Sequence, residues 1–105
     1  MNEGSFMSLD TDTKKRYRTI GHDLKPVVTV AGKGLTEGVL TELQRALDDH
    51  ELIKVKLAME DREERAQVVA DLCAQTRAEV VQTIGKMVLI FRAARKPKLS
   101  TSNIR

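Results

Sequence analysis

The hydrophobic and polar positions of this chain alternate in short stretches whose period switches between two and 3.6 residues. Val27-Val28-Thr29-Val30 is β-branched throughout and reads as a buried strand, entered through Pro26, which has no N–H to donate to a ladder. Ala31-Gly32-Lys33-Gly34 then makes a flexible basic turn, and Thr36 is placed to cap a helix. Val39, Leu40, Leu43, Ala46 and Leu47 recur at helical spacing behind it, with Leu35 positioned to staple onto Leu40. Upstream, Asp10 to Thr13 offer caps for a helix over Thr13 to Ile20, stopped by Gly21. Downstream, Leu52 to Ala58 alternates, with Ile53, Val55 and Leu57 on one face and Lys54 and Lys56 on the other, as a half-buried strand does.

Asp61 caps a further helix reaching about Arg77, with Ala66, Val69, Ala70, Leu72 and Cys73 as its inward stripe. Glu79 to Ile84 and Met87 to Arg92 read as two strands joined by the tight turn Gly85-Lys86. Met87 to Phe91 is apolar on both faces, which predicts a central strand covered from both sides. The order α-β-α-β-α-β-β predicts an α/β fold: one four-stranded mixed sheet packed by helices. Its two helical crossovers would be right-handed and link parallel strands, and its closing hairpin antiparallel. Residues 1–10 are expected to be a disordered extension, 11–95 the folded domain and 96–105 a basic mobile tail.

Composition narrows the class. A chain of 105 residues, 41% hydrophobic and 31% charged, suits one soluble domain. No apolar run approaches the ~20 residues of a membrane span. The segment Met1 to Met7 lacks the basic start and apolar core of a secretory signal, and Met7 offers an alternative start. A lone cysteine, Cys73, has no internal disulfide partner, which favours a reducing compartment, the cytoplasm.

Net charge is only +3, but its distribution is uneven. Thr13 to Gly34 carries six basic residues against Asp23 alone, and Val80 to Arg105 carries six with no acid. Leu35 to Glu79 between them holds eleven acids and six bases. If the fold joins the two ends, one side is basic and attracts polyanions.

Support for catalysis is weak. The pair His22-Asp23 has no nucleophile near it in sequence and reads as a surface or capping pair. Cys73 falls on an apolar stripe, and Asp61, Glu63 and Glu64 read as an acidic helix start. Two histidines and one cysteine do not support a closed metal site, and no cofactor is indicated. The glycine turn also lacks P-loop spacing.

The turn, followed by a helix N-terminus, is instead a candidate phosphate cradle: Gly32, Lys33, Gly34 and Thr36 would hold a backbone phosphate. Lys14, Lys15, Arg18 and Lys25 would extend the contact, and Lys86 and Arg92 would close it from the hairpin. Lys54 and Lys56 either line that face or form the wet face of an edge strand. With Phe6, Tyr17 and Phe91 the sole aromatics, recognition would rest on shape, backbone and ribose more than on base identity. The competing reading is a protein-interaction module that docks on a ribosomal protein or assembly factor through the acidic middle segment.

Gly34-Leu-Thr-Glu-Gly-Val-Leu40, His50-Glu-Leu-Ile-Lys-Val-Lys56, Asp61-Arg62-Glu63 and Gln82-Thr-Ile-Gly-Lys86 with Ile90-Phe91-Arg92 resemble the bacterial YhbY family. That family is the stand-alone form of the CRM (chloroplast RNA splicing and ribosome maturation) domain. The resemblance runs from about Leu9 to Lys98. It implies the same α-β-α-β-α-β-β fold, similar to the C-terminal domain of a translation initiation factor. It also implies RNA binding and association with precursors of the large ribosomal subunit. Family members carry a GxxG loop like that of KH domains after the first strand, and here Ala31 stands at its first glycine. Ile90-Phe91-Arg92 replaces the family's usual Leu-Tyr-Arg, which argues that the ring of Phe91 packs.

Overall fold

A computed structural model describes residues 9–105, so residues 1–8 of the expected extension lie outside the described residues. Leu9 and Asp10 belong to the fold. The Leu9 N–H donates to Glu79 at 2.9 Å, and the Asp10 carboxylate accepts from the Thr13 N–H at 2.7 Å. That bond holds the Asp10 carboxyl below its ordinary value and starts helix α1, Thr11–His22. The helix overruns both expected ends. Gly21 does not stop it but lies inside it, because a Cβ there would stand 2.4 Å from Leu89. The glycine is needed for close approach.

The remaining elements are β1 (Pro26–Val30), α2 (Glu37–His50), β2 (Leu52–Leu57), α3 (Arg62–Thr76), β3 (Glu79–Ile84) and β4 (Met87–Phe91). The sheet order is β1-β2-β4-β3. β1 and β2 run parallel, and β4 is antiparallel to both of its neighbours. The strand that is apolar on both faces is therefore interior, as its pattern predicts. β2 is interior too, so Lys54 and Lys56 do not sit on an edge strand.

Alternation divides the sheet into two apolar faces. Val28, Val30, Ile53, Val55, Leu57, Val88 and Ile90 pack on Leu43 and Leu47 of α2 and Leu72 of α3. Leu52, Val81 and Leu89 face the other way, onto Tyr17 of α1, whose ring lies 5.0 Å from that of Phe91. Each fully buried leucine contributes about 1.5–3 kcal/mol. The inward side of α3 differs from its expected stripe. Leu72 and Thr76 are buried with Val68, Val69 and Cys73 beside them, whereas Ala66 and Ala70 are exposed. Thr76 tolerates burial because its hydroxyl donates to the Leu72 carbonyl at 2.7 Å.

The tail requires a correction. Residues 96–105, expected to be mobile, fold back along the start of β2. The Asn103 N–H donates to the His50 carbonyl at 2.9 Å, and its side-chain amide to the Leu52 carbonyl at 2.7 Å. Ile104 joins the Tyr17 cluster. The anchor is Glu51, fully buried and at φ +64°. Its carboxylate accepts from the Ala94 N–H, the Ser102 hydroxyl and the Arg105 guanidinium, at 2.7 to 3.1 Å. The Arg105 bond above all holds the Glu51 carboxyl at about 2, against burial, which acts the other way.

Candidate nucleic-acid interface

Strand direction decides what meets at the loop end of the sheet. Parallel β1 and β2 leave the sheet at the same end, and antiparallel β4 brings its hairpin turn back there. The Ala58 N–H donates to the Val30 carbonyl at 2.8 Å, and the Leu57 N–H to the Lys86 carbonyl at 2.7 Å. The 31–36 loop, the 58–61 loop and the Gly85-Lys86 turn are thus neighbours.

The glycine turn is closed by the Gly34 N–H donating to the Ala31 carbonyl at 2.8 Å. Gly34 takes φ +74°, which favours glycine, whereas Ala31 is not among the residues of positive φ. Alanine at the first position of the loop therefore imposes no backbone strain. The Thr36 N–H donates to the Gly34 carbonyl at 3.0 Å, and the Thr36 hydroxyl accepts from the Val39 N–H at 3.2 Å. The N–H groups that open α2 point out of the helix here, adding a partial positive charge. Lys33 is exposed and makes no ion pair among the described residues. A Cβ at Gly32 would meet nothing within 4 Å.

Lys86 shares this end but binds Glu60 at 2.6 Å, which holds the Glu60 carboxyl below its ordinary value. Lys25 precedes the first residue of β1 and Lys15 comes just before Tyr17, whose ring meets Phe91, so both exposed lysines sit at the end of the sheet away from the loop, and Arg18 is half-buried on α1. Lys14 lies at the opposite end, 3.8 Å from Glu79, whose register partner is Phe91 at the far end of β4. Arg92 is also there, separated from the hairpin by the length of β4, and does not close the loop end. Its guanidinium, with 19% side-chain exposure, donates to Asp48 at 2.7 Å, to the Thr76 carbonyl at 2.8 Å, and to both the side chain and carbonyl of Gln44. Those bonds pin β4 to α2 and α3.

One cation at the loop end escaped the reading of the sequence. Arg62 opens α3, is exposed, and lines a cleft with Arg65, Thr83 and Gly85. Arg65 instead donates to the Met59 and Glu60 carbonyls. The acids around Arg62 masked it, although the Asp61 cap places the first turn of α3 beside the hairpin. His22 is exposed at the last turn of α1. Burial, then the Glu79 carboxylate, pushes the Cys73 thiol up, away from the thiolate a nucleophile needs.

Residues 9–92 match the model of the CRS1 / YhbY (CRM) domain. The chain belongs to that family. A probable RNA-binding protein of Pseudomonas aeruginosa is 56% identical to this CRM domain over 98 residues, covering 93% of this chain and 94% of its own. An RNA-binding protein of Haemophilus influenzae is 42% identical over 92 residues, covering 88% and 93% respectively. The solution structure of a Staphylococcus aureus protein, proposed to bind RNA, superposes with a TM-score of 0.75 at 27% identity. That match covers 88% of this CRM domain and 96% of the other chain. The docked segment from Ala93 onward lies outside the matched family region.

Proposed function

We propose that this CRM domain binds RNA through the loop end of its sheet, and that the RNA is ribosomal, in precursors of the large subunit whose assembly the protein assists. The observation that carries the reading is Lys33, exposed and without an ion pair among the described residues, in a glycine turn that runs directly into a capped helix N-terminus. A phosphate there would meet a full charge and the positive end of α2 together. Arg62 and Lys86 would flank it from α3 and the hairpin, and Arg18 on α1 would extend the track, with Lys15 and Lys25 at the far end of the sheet left outside it. The names of the relatives support the RNA ligand. The protein acts by binding, without a reaction of its own, in the cytoplasm.

The competing reading needs an acidic docking surface, and one observation weighs against it. Five of the eleven acids of that segment, Asp48, Asp49, Glu51, Glu60 and Glu79, are each engaged by a cation of the same chain, which reduces the acidic surface left for a partner. Ultraviolet crosslinking of the protein in cells, followed by mapping of the attached RNA, tests the proposal. Large-subunit precursor sequences are expected to dominate. Recovery of proteins with no enriched RNA would refute it.

A further inference from the structure

Helix α1 covers only part of its face of the sheet. Its last turn comes down on Leu89 and ends at His22. One step further toward the loop end, the register aligns one residue from every strand: Thr29 beside Lys56, Lys56 beside Met87, and Met87 beside Ile84. Alternation puts this row on the same face as Leu89 and Lys54, the face that α1 leaves bare here. Thr29 and Lys56 are exposed, Ile84 is 57% exposed and Met87 is half-buried. Behind the row, Lys54 and Gln82 line a shallow depression beneath His22. Neither the row nor the lining of the depression contains a carboxylate.

We propose that this bare row is a second RNA contact and that it takes an unpaired strand, not a duplex. The proposal rests on the RNA-binding reading above and specifies the kind of RNA. Strands lie ~4.8 Å apart, so the row is about 14 Å across. Thr29 is two residues from Ala31, which makes the row continuous with the Lys33 loop. An unpaired nucleotide offers a flat apolar base face together with a phosphate. The row answers with Ile84 and Met87 for the base, Gln82 and Thr29 for its polar edge, and Lys56 for the phosphate. An A-form duplex keeps its bases stacked and presents ribose and phosphate, which Ile84 and Met87 cannot use. With Lys56 as its one charge and no acid beside it, the row attracts a phosphate without repelling it.

Fluorescence anisotropy against a short oligouridylate and an RNA hairpin closed by a tightly stacked four-nucleotide loop, with wild type, Lys33→Glu, Lys56→Gln and Ile84→Ser, tests this. Ile84 is 57% exposed, so Ile84→Ser should lower the melting temperature by only a few degrees and leave the protein folded. It is expected to weaken oligouridylate binding roughly fivefold with the same salt slope and the same hairpin affinity. Lys56→Gln should lower the oligouridylate salt slope by about 0.7. The proposal is overturned if neither variant changes oligouridylate affinity, as when the row covers a protein partner, or if both ligands weaken alike. Hairpin binding without oligouridylate binding by wild type would also overturn it, while a loss in Lys33→Glu would leave the RNA-binding reading standing. Binding of neither ligand by wild type would refute both.

Discussion

Glu51→Gln keeps the size of the native residue but removes its charge and turns one of its two accepting oxygens into a donor, which tests the anchor of the tail. Glu51 is fully buried, and four donor groups, one from Ala94 and three from the tail residues Ser102 and Arg105, converge on its carboxylate. A carboxyl lowered from 4.5 to about 2 corresponds to roughly 3 kcal/mol favouring the folded, charged form. Arg105 is 38% exposed in its side chain, so solvent screens part of this, and about 2 kcal/mol is the expected loss at neutral pH. For a domain of this size that is roughly 8–16 °C in melting temperature. Because the folded value is depressed, the stabilisation is complete above about 4.5 and disappears as pH falls toward about 2. Thermal melts of wild type and Glu51→Gln between neutral and acid pH should therefore converge across that window. Equal melting temperatures at neutral pH, or a gap that ignores pH, would refute the assignment.

Two other substitutions test the packing. Gly21→Ala gains about 1 kcal/mol of helix propensity but drives a methyl into Leu89, so a net loss of roughly 1–2 kcal/mol is expected in urea denaturation. Arg92→Ala leaves Asp48 and the Thr76 carbonyl without their donor and should cost about 2–4 kcal/mol, while RNA affinity at a temperature where it remains folded stays near wild type. A large affinity loss there would return Arg92 to the RNA-binding set.

Local pattern was enough for some of this architecture and insufficient for the rest, for identifiable reasons. The interior place of β4 follows from side chains that are apolar on both faces, and the starts of α2 and α3 follow from Thr36 and Asp61, whose caps act within three residues. Gly21 misled because a glycine that ends a helix and one that admits a leucine look alike in sequence. The tail misled for a different reason. Ser102, Asn103 and Arg105 are polar and read as solvated, yet their partners lie at Glu51 and Leu52, some fifty residues away. Basic residues carry the same ambiguity. Charge identifies Lys33 and Arg92 equally, and only the fold separates an exposed lysine from an arginine held by four hydrogen bonds.

The central claim is that the loop end of the sheet, and no other cationic region, receives the RNA phosphates. Its most direct test compares two identical charge reversals, Lys33→Glu at that end and Lys96→Glu on the exposed tail, by RNA affinity at moderate salt. Lys33→Glu is expected to weaken binding by about 1–3 kcal/mol, roughly 5- to 150-fold. Lys96→Glu, separated from the cradle by more than a screening length of about 10 Å, should change affinity less than twofold. Equal losses in both variants, or unchanged affinity in Lys33→Glu, would contradict it.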